Sequence, residues 1–258
     1  KAIEVLTFLN DRRLATGTKK RSSTLQVVRE SLTALFNTAP KINVNGSSLY
    51  RQIDWSTRDA LRPPQQPEKI LVVNAREFPP EGDTCDARLI CAAYKLGWRQ
   101  FLCYGYKGQR FTGCGLLDNT DGVRIDVYDS SGDYLASGID GLEIHVHGNA
   151  QDQLGQIMKR GKLVIYGDVG QTFMYGAKGG EVYVMGNAAG RPLINAVGRT
   201  RVVINGDTHQ TDIGNGSGLM DAASRLRGVG NIHIHEFECA DVVRSKLVRH
   251  IIERYETA

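Results

Sequence analysis

Apolar positions between residues 142 and 207 recur with a fixed step. Four short runs, LEIHVH, KLVIY, EVYVM and RVVIN, alternate aliphatic with other side chains, and each closes on a glycine followed by Asn or Asp. The closing glycines are Gly148, Gly167, Gly186 and Gly206, at steps of 19, 19 and 20 residues. Two and four residues before them lie Val146 and Ile144, Ile165 and Leu163, Val184 and Val182, Ile204 and Val202. Side chains alternate faces along a strand, so these aliphatic residues all point one way. One strand per step of 19–20 residues predicts a solenoid, with coils stacked at ~4.8 Å around a dry interior. The Gly-Asn/Asp pairs are expected to turn one corner by taking positive φ. Gly141, Gly161, Gly180 and Gly198 are expected to mark another. VRIDVYD, Val123 to Asp129, adds a fifth coil with Ile125 and Val127 inside. The expected fold is mainly β: a right-handed single-stranded β-helix, preceded by helices and a small βαβ unit and followed by a C-terminal helix.

The chain divides into four stretches on this reading. Residues 1–69 form a helical and extended N-terminal arm. Ile3, Leu6 and Leu9 suggest a short helix. Leu25, Val28, Leu32, Leu35 and Phe36 mark an amphipathic one, with Ser22 or Ser23 as cap. Residues 41–69 read as irregular, and LRPPQQP as an extended linker. The arm shows no core of its own and is expected to lie along a partner. Residues 70–122 are a strand–helix–strand unit leading into the solenoid. Its strands are Ile70 to Val73 and Trp98 to Tyr104. Its helix carries Leu89, Ile90, Ala93 and Leu96, with Asp83 or Thr84 as cap and Gly97 as stop. Residues 123–207 are the β-helix. Residues 208–258 hold an irregular segment, a closing strand NIHIHEF, and a last helix from Asp241 with Val242, Leu247, Ile251 and Tyr255 on one stripe.

Charge and cysteine content mostly exclude. Lys and Arg number 32 against 28 Asp and Glu, mixed along the chain, so there is no nucleic-acid footprint. The basic run Lys19-Lys20-Arg21 reads as a solvated loop. The five cysteines form no C-x-x-C pair, which argues against zinc, iron–sulfur ligation and a disulfide framework, and fits free thiols in a reducing cytoplasm. No run approaches the ~18 apolar residues of a membrane span.

The outward positions of the coils carry the functional signal. They are Asp126 and Tyr128, His145 and His147, Val164 and Tyr166, Tyr183 and Met185, Val203 and Asn205. A solvent-facing wall would be polar, whereas this one stacks Tyr, Met and Val. That predicts a packing face, covered by another polypeptide or by the chain's own helices. Tyr128, His145, His147, Tyr166, Tyr183 and Met185 are the candidate interface residues.

His145-x-His147 and His233-x-His235 each place two imidazoles on one strand face, a spacing that can hold a metal. The first pair has no obvious third ligand, and the alternation alone explains its place; Glu236 and Glu238 flank the second. No G-x-S-x-G elbow, Rossmann fingerprint or phosphate loop is present. The glycines of GYKGQRFTGCG (Gly105 to Gly115) suit a coil corner. Cys85 at a helix start is opposed by Asp83 and Asp86. A self-contained enzyme would use a groove between the βαβ unit and the solenoid, with Cys85, Arg88, Arg110 and the histidines as its groups. A carbohydrate- or metal-binding solenoid is a third class. No catalytic, cofactor or metal residue is assigned.

The coils HVHGNAQDQLG, VIYGDVGQTFMYGAKGG and VYVMGNAAG resemble the GXGXG β-helix domain, over about residues 70–207. That domain forms the C-terminal part of the glutamate synthase large subunit, and occurs as one of the subunits of formylmethanofuran dehydrogenase. The tail DVVRSKLVRHIIERYETA is similar to the helix that follows the glutamate synthase β-helix. Family members commonly continue with further coils, whereas this repeat stops near Asp207. The resemblance implies a non-catalytic scaffold subunit of a cytoplasmic, glutamate-synthase-like oxidoreductase complex. FMN and Fe–S clusters would then belong to partner subunits of amidotransferase and synthase type. The alternative it implies is a component of a formylmethanofuran-dehydrogenase-type complex.

Overall fold

A computed structural model describes residues 1–12, 16, 18–204, 218–230 and 232–235. The chain forms two units, Lys1–Gly206 and Asp207–Ala258. The first opens with helices α1 (Ala2–Asp11) and α2 (Arg21–Asn37), followed by strands β1 (Tyr50–Ile53) and β2 (Ile70–Asn74). Helix α3 (Asp86–Lys95) and strands β3 (Gln100–Tyr104), β4 (Arg124–Val127), β5 (Asp140–Val146), β6 (Arg160–Ile165), β7 (Gly179–Val184) and β8 (Arg199–Ile204) complete it. The eight strands make one parallel sheet in chain order, the ladder of a β-solenoid in which each strand is one rung. The register Ile125↔Ile144↔Leu163↔Val182↔Val202 reproduces the expected steps.

The inward alternation holds. Ile125, Val127, Ile144, Val146, Leu163, Ile165, Val182 and Val184 are buried, and Val202 packs partly buried against them. The side chain of Ile204 lies outside the described set. The stack also extends upstream, through Phe101 and Cys103 to Leu71, Val73 and Ile53. The strand–helix–strand unit is therefore not a separate layer: β2 and β3 are rungs of the same sheet, with α3 inserted between them. At about 1.5–3 kcal/mol per buried aliphatic side chain, this axial column is the main stabilising term.

Residues 41–69 correct the sequence reading, because β1 lies within them and pairs with β2. Period alone misses it, since Tyr50 and Gln52 alternate with Arg51, a charged residue on the inward side. Arg51 is buried and bonded to Glu68 at 2.5 Å, and Arg62 holds both oxygens of Glu68 at 2.7 and 2.8 Å. LRPPQQP is likewise not a free linker. The Trp98 indole donates to the Arg62 carbonyl at 2.8 Å. The helix ends also differ. α2 begins at Arg21, ahead of both serines, and α3 has Cys85 as N-cap without a side-chain bond. Leu96 caps α3 and is exposed, whereas Leu89, Ile90 and Ala93 face the core.

The corner chemistry is the larger revision. Gly141, Gly161, Gly180 and Gly198 do take positive φ, as expected. The closing glycines Gly148, Gly167 and Gly186 do not. They are glycine because coils touch there: a Cβ on Gly148 would collide with the Asp129 carbonyl, and one on Gly186 with Gly167. The Asn or Asp that follows serves the coil above. Asn149 Oδ1 accepts from the Asp168 N–H at 3.0 Å, and Asp168 Oδ1 from the Asn187 N–H at 2.7 Å. A third corner has no counterpart in the sequence reading. Tyr134, Ala136 and Gly138, then Gln153, Gly155 and Ile157, then Thr172, Met174 and Gly176 alternate left-handed residues two apart. Leu135, Leu154 and Phe173, which follow the first left-handed residue of each coil, are buried.

In the second unit, α4 (Gly218–Leu226) is helical. Residues 232–235 are described without strand pairing, so the expected closing strand is not formed by them. The expected last helix, Cys239, Gly206 and residues 209–217 fall outside the described residues.

The glycine distinction gives a prediction. Gly148→Ala should destabilise by about 2–4 kcal/mol, because backbone cannot yield. Gly190→Ala, where an added Cβ meets nothing within 4 Å, should stay within about 0.5 kcal/mol. Denaturant midpoints of the two variants check this; equal loss would refute the close-stacking account.

Candidate functional site: the outward face of the sheet

The outward rows divide according to what covers them. Val28, Leu32 and Phe36 of α2 pack on Val72, Leu102, Tyr104 and Tyr128, with Ile3 and Leu6 of α1 alongside. The arm therefore finds its core on the chain's own sheet. Three polar contacts fasten α1. Thr7 Oγ1 and the Tyr128 hydroxyl lie 2.7 Å apart, the Asn10 amide donates to the His147 carbonyl at 2.8 Å, and Asp11 meets His147 Nδ1 at 2.8 Å. Arg29 of α2 donates to Asn10 at 3.0 Å, tying the two helices to the same point.

His147 is the centre of this cluster. It is buried, with Asp11 on one ring nitrogen and Asp126 on the other, the latter at 3.0 Å. Its ring stacks between Tyr128 and Tyr166, at centroid distances of 4.5 and 5.2 Å. Burial opposes its charge, but the two carboxylates outweigh burial and raise its pKa above the ordinary 6.5. Burial would likewise raise the Asp126 carboxyl. Bidentate Arg124, at 2.8 Å to each oxygen, together with His147, holds it well below the usual carboxylate range. His145 is driven the other way: burial lowers its pKa despite a 2.5 Å contact to Glu143. The two histidines thus have separate partners and opposite charge preferences. Among the described residues no group of three or more His, Cys, Asp or Glu is placed to hold a metal.

Of the six sequence candidates, Tyr128, His145 and His147 are buried within the chain and closed to a partner. Tyr166 and Tyr183 are half-buried, and Met185 is 41% exposed. In the next rung Val203 is 49% exposed. Among the described residues the cover thins where α1 ends: Val164 is still buried, Tyr166 half-buried, and Met185 and Val203 exposed. The sequence could not divide the row, because α1 and the sheet meet through contacts more than 120 residues apart. Asp11 and Asn10 carried no signal of their own.

The groups expected of a self-contained enzyme are not brought together. β3 pairs with β4 in continuous register, leaving no groove between the βαβ unit and the solenoid. Cys85 is buried at the start of α3, Arg88 faces Asp83 at 3.8 Å, and Arg110 is held by Glu81 and Asp133 at 2.6 and 2.8 Å. Burial disfavours ionisation of the acids near the axis. Asp86 is pushed up to about 6 by burial, the Cys114 thiol up to about 12 by burial, and Tyr106 well above 10 for the same reason. None has the lowered pKa of an activated nucleophile. No helix among the described residues is long and apolar enough to cross a membrane.

Two family models match the chain. One, described as GXGXG motif, covers residues 105–213; the other, described as PhoH-like protein, covers residues 192–256. Where they overlap, β8 pairs in register with β7, which is the coil pattern. The left-handed positions two apart give the first match its physical basis, since a G-x-G-x-G spacing suits such a corner. No curated protein and no solved structure matches the chain.

Two titrations are expected. His147, raised in the folded state, contributes stability that is full below pH 6.5 and is lost as pH rises through its folded value. Protection factors of the α1 amides, with the intrinsic pH dependence of exchange divided out, should therefore fall above neutral pH. Asp11→Asn should loosen α1 by about 2 kcal/mol and flatten that dependence; an unchanged profile would refute the clamp. Asp86 has the same sign. Its contribution is present below its ordinary 3.8 and is lost as pH rises through about 6. Asp86→Asn should remove the fall in stability between those values, as read by thermal midpoints across pH.

Proposed function

We propose, for a chain whose residues 105–213 belong to the GXGXG motif family, that it is a non-catalytic scaffold subunit of a glutamate-synthase-like oxidoreductase complex. The carrying observation is the outward row of the sheet, fastened under the chain's own helices as far as His147 and, among the described residues, increasingly exposed from Tyr166 to Met185 and Val203. A parallel ladder with an axial column of Val, Ile and Leu is stiff, so groups fixed to its face keep a fixed spacing. Tyr128 and His147, with Asp126 behind His147, are engaged in fastening α1, which suits positioning rather than reaction. On this reading the chain holds amidotransferase-like and FMN/Fe–S synthase-like subunits, which supply the cofactors and the chemistry.

Affinity purification of the native chain, followed by mass spectrometry, tests it. Stoichiometric recovery of flavin- or iron–sulfur-bearing polypeptides is the expected result. Met185→Asp should reduce that recovery at least tenfold while leaving the fold intact, because it puts a charge on the open face. A flavin or iron chromophore bound stoichiometrically by the isolated chain, or turnover by it, would overturn the proposal.

A further inference from the structure

Helix α3 lies between β2 and β3, in the coil just before the first left-handed corner. That corner, between β3 and β4, has positive φ at Phe111, Gly113 and Gly115. Cys91 on α3 and Cys114 in the corner therefore belong to consecutive coils. The Cys91 thiol donates to the Cys114 carbonyl at 3.1 Å, and a Cβ on Gly115 would lie 3.4 Å from the Cys91 sulfur. The sulfur and carbonyl oxygen of one cysteine are four bonds apart, about 3–4.5 Å, so a χ1 rotation of Cys114 brings its sulfur toward Cys91. Consecutive coils are spaced at about 4.8 Å, inside the 4.4–6.8 Å between Cα atoms that a disulfide takes.

The Cys114 thiol is held in the other direction at present. It donates to the Tyr134 carbonyl, one coil further on, at 3.1 Å. Cys114 thus has two attachments to choose from, the next coil as a thiol and α3 as a disulfide. The other described thiols are placed worse. Cys103 is fully buried in the axial column and Cys85 is buried ahead of α3, whereas Cys91 and Cys114 are both half-buried. Burial raises both thiols, Cys114 up to about 12. For Cys91 the charges of Arg88 and Lys95, on the same helix, oppose the rise. Cys91 is accordingly the sulfur that reacts first, and Cys114 the one that resolves it.

We propose that Cys91 and Cys114 are a reversible redox pair, which a hydroperoxide joins into a disulfide that fastens α3 to the corner of the next coil. The Cys91 thiolate attacks one oxygen of hydrogen peroxide, the O–O bond breaks, and hydroxide leaves with the proton released from Cys91, as water. The Cys114 sulfur then attacks the sulfenic sulfur and breaks its S–O bond. The departing hydroxide takes the Cys114 proton and forms the second water. Two thiols lose two electrons, and one peroxide gains them. Oxidation exchanges the contact to Tyr134 for a covalent one to α3, and a dithiol reverses it. The proposal is independent of the scaffold reading.

The test uses the full chain, reduced and then treated with hydrogen peroxide at pH 8. Trypsin cuts after Lys and Arg, which puts Cys85, Cys91, Cys103 and Cys114 on four separate peptides, residues 77–88, 89–95, 100–107 and 111–124. Mass spectrometry without reduction should find 89–95 linked to 111–124, and dithiothreitol should release both. Protection of the α3 amides should rise at least tenfold in the linked form. In Cys114→Ser, whose hydroxyl can still donate to Tyr134, the link should vanish and dimedone should label Cys91 as a persistent sulfenic acid. Linkage of Cys91 to any other cysteine, or its passage to sulfinic acid while Cys114 stays a thiol, would overturn the proposal. So would equal dimedone labelling of the two proteins, or α3 protection that the link leaves unchanged.

Discussion

Close stacking of one coil on the next is the constraint from which the remaining features follow. Parallel rungs place identical positions about 4.8 Å apart, so whatever occupies a position in one coil must tolerate its copy above and below. Inside, that selects aliphatic side chains, which stack without leaving polar atoms unpaired. At the closing corner it selects glycine, because the Asp129 carbonyl leaves no room for a Cβ on Gly148. Beside that corner it selects Asn or Asp, whose side-chain oxygen takes the next coil's N–H. On the outer wall it selects alternating charge in one row and flat rings in another. The repeat in the sequence is this single requirement written once per coil.

The same requirement explains what was legible and what was not. Ile144, Val146, Leu163 and Ile165 could be placed in the interior from alternation, since period two and period nineteen agree there. β1 could not, because its inward residue is Arg51, whose burial depends on Glu68 and Arg62 outside the strand. The closing glycines were located correctly but assigned the wrong cause. Positive φ and close approach both demand glycine, and a sequence does not distinguish them. The third corner was invisible for the opposite reason. Left-handed backbone is held there by Tyr134, Gln153 and Thr172 as well as by Gly138, Gly155 and Gly176. Non-glycine residues in that region cost about 1 kcal/mol or more each, and stacking between coils must compensate.

The candidate site was half legible. An apolar, aromatic wall could be recognised as a packing surface from Tyr128 to Met185. Its division between self and partner could not, because it depends on where α1 ends. Asp11 is the last helical residue of α1 and meets His147, so the helix covers the wall to that rung. Sequence alternation places His147 in the row without revealing that it meets a carboxylate on each ring nitrogen.

A buried imidazole whose charged form is favoured by two carboxylates is an unusual way to fasten a helix, and its energetics favour location over strength. Removing ionisable groups from water costs several kcal/mol, largely recovered in their mutual attraction, so the cluster adds modestly to net stability. Its effect is geometric. Only one placement of α1 satisfies Asp11, Asn10 and Thr7 together, whereas apolar contacts from Ile3 and Leu6 would accept several. Fixing that placement fixes how much of the wall stays open. The boundary of the uncovered surface is thus set by a polar contact at one rung, while its adhesive character is set by Tyr166, Tyr183 and Met185 at the rungs beyond.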